Sequence, residues 1–153
     1  IDIQSFALFN FIQNIMFNTE TCWPKSVFLI LDISDNMLSC GPVWDFDWET
    51  YVHMDWFRIK DALYYDRLFQ DERFKALVKE RWTLLKPGFE TLPEYIRIEA
   101  GKIRNSESMN HRMWPITQVV NKDESMSFDQ AVESMTEAYR SKLEWMDNQI
   151  THL

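Results

Sequence analysis

The sequence predicts an α+β fold that is mostly α: one short β-hairpin, with helices through nearly all the rest. Three observations carry this. Residues 26–33, SVFLILDI, are apolar and rich in β-branched side chains, and the run is too short for a helix. Ser34-Asp35-Asn36 then reads as a turn, and 37–44, MLSCGPVW, as the returning strand. After residue 60, apolar positions recur three and four residues apart to the end of the chain, the helical spacing. With 153 residues, 46% hydrophobic and 26% charged, the chain is of one-domain size and able to bury a core.

The elements follow in order. Residues 3–17 read as a helix opened by Asp2 as N-cap. Asn10, Gln13 and Asn14 form its narrow polar stripe, and the rest is apolar, so it should be mostly buried. Residues 18–25 are a loop of turn formers. In the hairpin, Pro42 lacks the N–H a ladder needs and belongs at the strand's edge or exit. A short helix is expected over about 61–69. The next starts at N-cap Asp71, runs through Phe74, Leu77, Val78, Trp82 and Leu85, and stops at Lys86-Pro87-Gly88. Thr91-Leu92-Pro93-Glu94 reads as a capping box opening a helix to about residue 112. Residues 115–126 form a polar loop, and Ser127 with Gln130 makes a second capping box for a long final helix. Met109, Met113, Met135 and Met146 read as core packing.

Composition excludes several functions. The three glycines, Gly41, Gly88 and Gly101, fit neither a dinucleotide fingerprint nor a phosphate-cradling P-loop. Acidic residues outnumber basic ones 24 to 16, for a net charge of −8, and no Lys/Arg run exists. Nonspecific nucleic-acid binding needs a cationic face, so the balance points instead to a cation or a basic partner. No apolar run has the ~18 residues of a spanning helix. The chain starts at Ile1 with no signal-peptide pattern, so it is expected to be cut from something larger. Cys22 and Cys40 flank the strand pair and read as two reduced, partly buried thiols, although a bridge between them stays open. His53, His111 and His152 have no zinc spacing. His53 reads as a surface or gap-filling residue, the other two as residues at helix ends.

Two segments can carry chemistry. In Gly41-Pro42-Val43-Trp44-Asp45-Phe46-Asp47-Trp48-Glu49, an extended backbone aims Asp45 and Asp47 the same way. They can then converge on one Mg2+, Mn2+ or Ca2+, cations that prefer carboxylate oxygen. Trp44, Phe46 and Trp48 alternate with them and would anchor the segment in a core. The same pattern also describes a half-buried strand with solvated acids. The second segment, Asn18 to Ser26, joins the buried helix to the first strand, and loops on rigid supports favour catalytic groups. Here Asn18 can cap a helix end, Glu20 can act as general base or hold an ion pair, and Lys25 can meet an anion or water.

Together these segments resemble the CotH kinase family, named for spore coat protein H. The stretches that carry the resemblance are Asn18-Thr-Glu20 to Ser26 with its following strand VFLIL, the segment GPVWDFDW (41–48), and the helical tail. The tail contributes LFQDERFKALVKERW (68–82), the HRMWP-like stretch (111–115) and KLEWMDNQI (142–150). The likeness implies that residues 1–153 are the C-terminal lobe of a kinase-like domain, with the nucleotide lobe upstream. It implies transfer of the γ-phosphoryl of ATP to Ser on a protein substrate, with Mg2+ held on the phosphates. Asp45 then stands for the metal-holding aspartate, Glu20 for the catalytic-loop acid that is usually Asp, and Ser26 for the metal-coordinating Asn of ordinary kinases. Asn18 and Lys25 fall in the same nucleotide-facing loop. The hairpin would let loop 18–26 and segment 44–49 face a shared cleft. The fragment alone is expected to be inactive, and an extracytoplasmic or cell-surface setting is implied. Two other readings stand beside this one: a non-catalytic surface or scaffold module, and a metal-dependent glycosyltransferase of the DxD type. The second lacks the alternating strands and helices of a nucleotide-sugar domain.

Overall fold

The computed structural model describes residues 1–23, 25–46, 50, 58–62, 64–115 and 126–153. Asp47, Trp48, Glu49, His53 and most of the expected 115–126 loop lie outside these residues. The chain is mostly helical with one small antiparallel sheet: α1 (Ile3–Met16), β1 (Leu29–Asp32), β2 (Met37–Cys40), α2 (Tyr65–Leu68), α3 (Glu72–Phe89), α4 (Leu92–Met113) and α5 (Phe128–Thr151). Short 3-10 helices cover Thr19–Cys22 and Arg58–Asp61. Among the described residues, no helix is long and apolar enough to cross a membrane.

Asp2 caps α1 as its position suggests, accepting from the backbone N–H of Gln4 and Ser5 at 3.1 and 3.3 Å. The Ser5 hydroxyl donates to the Asp2 carbonyl at 2.8 Å and accepts from the Cys40 N–H at 3.0 Å. Asp2 N–H also donates to the Leu38 carbonyl at 2.8 Å, so the start of α1 is tied to β2. Phe17 ends the helix in the left-handed region, with φ of 52°.

The core forms where α1, α3 and the second half of α5 meet. Phe6, Phe9, Phe11, Ile15, Tyr65, Phe69, Phe74, Val78, Trp82, Tyr139, Met146 and Ile150 are all buried. Phe11 meets Trp82 edge-on, with centroids 5.4 Å apart, the arrangement favoured by aromatic quadrupoles. The Tyr65 hydroxyl, inside this cluster, donates to the Phe6 carbonyl at 2.8 Å. The polar stripe of α1 is buried as well: Asn10, Gln13 and Asn14 are all at 1% exposure or less.

Four expectations need correction. The helix expected to stop at Lys86-Pro87-Gly88 runs through them to Phe89. A proline this close to a C-terminus removes only one ladder bond. The extra turn is held by the Phe89 ring, 5.7 Å from Trp82, and by the Tyr139 hydroxyl, which donates to the Phe89 carbonyl at 2.9 Å. The capping box at Thr91 is not made: the Thr91 hydroxyl turns back to the Gly88 carbonyl at 2.8 Å. The expected box at Ser127 and Gln130 does form. Met146 is core, but Met109, Met113 and Met135 are 63%, 68% and 40% exposed, because the outer half of the α4–α5 pair extends beyond α1 and α3. Finally, the ladder spans only Leu29–Asp32 against Met37–Cys40, shorter at each outer end than the two expected strands. Pro42 therefore lies past the strand's exit.

Lys142 is a burial that periodicity did not signal. It is fully buried on α5, with Nζ 4.3 Å from the Trp145 ring centroid and 5.0 Å from that of Phe17. Cation–π contact of this kind offsets part of the cost of desolvating an ammonium group.

Candidate functional site

The two segments singled out in the sequence meet at the open end of the hairpin. The loop after α1 is shaped by Asn18, whose side-chain oxygen accepts from the Glu20 N–H at 3.0 Å and starts the 3-10 helix. The Thr21 hydroxyl donates to the Asn18 carbonyl at 2.9 Å. Asn18 and Thr21 are both buried, so Glu20 is presented from a fixed base. On the other side, Gly41 N–H donates to the Phe28 carbonyl at 2.6 Å and carries the pairing one step past the ladder. A Cβ on Gly41 would lie 2.7 Å from both Phe28 Cβ and the Phe28 carbonyl oxygen. Only glycine allows the two chains to approach this closely.

The junction is made by Ser26. Its hydroxyl lies 2.9 Å from Glu20 Oε2 and 2.9 Å from Asp45 Oδ2. The two carboxylates are therefore no farther apart than twice that distance. One hydroxyl carries one proton, so it can donate to only one of them at a time. The other carboxylate keeps an open acceptor toward the same point. Asn18 Nδ2 adds a long bond, 3.4 Å, to the Asp45 backbone carbonyl.

This geometry depends on unusual backbone. Ser26 and Asp45 have φ of 54° and 66°, the left-handed region that side chains disfavour. Asp45 is thus not part of an extended run with its neighbours alternating in and out. Its turn swings the carboxylate back to Ser26. Trp44 does not reach a core as expected: it is 59% exposed and touches only the edge of the Phe28 ring, with centroids 6.5 Å apart among the described contacts.

Of the candidate residues, Glu20, Ser26 and Asp45 share one cluster, with Asn18 behind it. The Lys25 N–H donates to the Glu20 carbonyl at 3.3 Å, and Lys25 itself is exposed beside the cluster. Asp47, the second expected metal ligand, lies outside the described residues. Among the described residues, no group of three or more His, Cys, Asp or Glu side chains converges on one point. Two carboxylates and a hydroxyl still make a set of hard oxygen donors, the kind that suits Mg2+ or Ca2+.

Other polar groups serve the frame. Cys40 is a free thiol 3.8 Å from the hydroxyls of Tyr64 and Tyr65. Burial is the main cause that pushes its pKa upward, so it is held as a thiol. Between α3 and α5, a shallow groove of about 450 Å3 is lined in part by Trp82, Lys86 and Asp147. Lys86 Nζ and Trp82 Nε1 both donate to the Asp147 carboxylate, at 2.8 and 2.7 Å, and hold it below the usual carboxylate range. These bonds satisfy Asp147 and join the two helices. Comparison of the chain with protein-family models, curated proteins and solved structures found no match.

Proposed function

We propose that this chain belongs to a metal- and ATP-dependent protein kinase of the CotH type, acting on Ser, and that the Glu20–Ser26–Asp45 cluster is its phosphoryl-transfer site. The observation that carries this reading is the single hydroxyl of Ser26 shared by Glu20 and Asp45. Neutral connector loops have no need of two carboxylates around one proton donor. A divalent cation at this point would neutralise both, and Asp45 with Ser26 would hold it. Bound there, the metal supplies charge stabilisation for the transferring phosphoryl group.

Glu20 then faces the incoming Ser hydroxyl. It orients that hydroxyl and accepts its proton as the bond to phosphorus forms. Asn18 anchors both halves of the site, bonding the Glu20 N–H with its oxygen and the Asp45 carbonyl with its amide. Lys25, exposed at the rim, would meet a phosphate from solvent.

The test is transfer of labelled phosphate from ATP to a Ser-containing protein by the full-length protein. Asp45→Asn should abolish transfer. Glu20→Gln should lower kcat by about 100-fold or more and leave KM for ATP little changed. Unchanged turnover in Glu20→Gln would remove that residue from the mechanism.

A non-catalytic interaction module is the rival, and one observation favours it. The hairpin exposes Ile30, Leu31 and Ile33 at 54%, 53% and 92%, and contiguous exposed apolar surface marks sites of interaction. Absence of transfer in wild type under every metal would move the reading there. The glycosyltransferase reading draws no support, because among the described residues the sheet is two-stranded and antiparallel.

A further inference from the structure

The outer half of the α4–α5 pair is where the expected methionine core failed to appear. From residue 101 to 115 every residue is exposed except Glu107. Ion pairs join α4 to α5: Arg97 to Glu133 at 2.9 Å, and Arg104 to Asp129. The buried side of α4 is marked by Pro93 and Ala100.

The opposite side carries an apolar stripe. Tyr95, Ile98, Lys102, Ser106, Met109 and Met113 follow one another at intervals of three or four residues, which lines up one face of a helix. The four apolar members are 56%, 51%, 63% and 68% exposed. The stripe has its apolar residues at both ends and its polar ones in the middle. Laid antiparallel on a copy of itself, it sets Tyr95 against Met113, Ile98 against Met109 and Lys102 against Ser106. A two-fold interface needs this kind of self-complementarity.

Charge fits the same arrangement. Glu94 and Arg112 lie on one flank of the stripe, and neither makes an ion pair among the described residues. Antiparallel pairing brings Glu94 of each copy beside Arg112 of the other. Gly101 sits next to the stripe near its midpoint. A Cβ there would meet nothing within 4 Å, so no packing among the described residues accounts for a residue that weakens helix interiors. At a helix crossing, a missing side chain allows close approach.

We infer that the outer face of α4 pairs antiparallel with α4 of a second copy of this chain, forming a two-fold homodimer. The inference is independent of the proposed chemistry, since the stripe lies on α4 and the cluster at the end of the hairpin. A helix of 22 residues is about 33 Å long and makes a contact at the small end of stable interfaces. The expected dissociation constant is on the order of micromolar.

Sedimentation equilibrium across a wide concentration range tests this, with circular dichroism and melting to show that each variant folds. Wild type should pass from monomer to dimer. Met109→Glu places a charge in the apolar contact and should weaken dimerisation by about 100-fold or more. Glu94→Arg should weaken it roughly tenfold, and adding Arg112→Glu should restore it, because the pair is then reversed rather than lost. Wild type that stays monomeric at about 500 µM, well above the expected constant, would overturn the inference. So would a dimer indifferent to Met109→Glu, which would place the contact on another face such as the hairpin. Failure of the charge swap to restore what Glu94→Arg lost would rule out the antiparallel register.

Discussion

α1 and the β1 region are alike in composition and opposite in fate. Both are dominated by Phe, Leu and Ile. In α1, Phe6, Phe9, Phe11 and Ile15 are exposed by no more than 4%, whereas Phe28, Leu29, Ile30 and Leu31 are exposed by 43% or more. The difference lies in the number of neighbours. α1 packs on α3, α5 and β2, while among the described residues β1 has β2 beside it and little else. Length and pattern select what kind of element a segment becomes, but burial needs a surface to pack against. Polar groups show the same contrast in reverse. Asn10 and Gln13, in the interior, have side-chain atoms with no hydrogen-bond partner among the described residues, while the Ser26 hydroxyl at the hairpin end has two acceptors for one proton. The body concentrates packing energy, and the hairpin end concentrates unspent chemistry.

The largest effect should come from deleting a body residue. Phe11→Ala removes a fully buried ring seated against Trp82 and should cost about 3–5 kcal/mol in denaturant unfolding. Ile30→Ala, on the exposed strand, should cost less than about 1 kcal/mol. Equal losses in the two variants would break the comparison, because β1 would then be covered in solution.

Gly41→Ala falls at the boundary between the regions and should be next. The new methyl meets Phe28 backbone at 2.7 Å, and the backbone can only yield by moving. A cost of about 2–3 kcal/mol is expected, of the size seen for overpacking. Under the proposed phosphoryl-transfer reading, transfer should fall as well, because the shift moves the segment that carries Asp45. Retained stability with normal transfer would show that the close approach at Gly41 is dispensable.

The smallest effect sharpens the reading of the hairpin end. Ser26→Ala and Ser26→Gly both remove the shared hydroxyl, but only glycine is at ease with φ of 54°. Ser26→Gly should therefore be the more stable of the two by about 1 kcal/mol. The ordinary order in a loop without positive φ is the reverse, since glycine loses more chain entropy on folding. Finding alanine more stable would mean that Ser26 is not held in the left-handed region.

Much of the fold was legible in the sequence because its signals are local. Asp2, Asp71 and the Ser127–Gln130 pair cap the helices their positions suggested, since a cap needs only the next two or three residues. The hairpin turn at 33–36 and the apolar periodicity of α3 and α5 are local in the same sense. Order along the chain and the resemblance single out Asn18, Glu20, Ser26 and Asp45, but neither carries the distances between them. What tertiary structure alone decided is each feature that depends on a remote neighbour. Pro87 stays helical because Trp82 and Tyr139 hold the turn beyond it. Lys142 is buried because Phe17 lies beneath it, and Met109 and Met113 are exposed because, among the described residues, no third helix packs on that end of the pair. Asp45 leaves the extended conformation, and its alternation with Trp44 and Phe46, because Ser26 waits across the hairpin to receive it. Periodicity reports which way a side chain points within its own element, and only packing supplies what it points at.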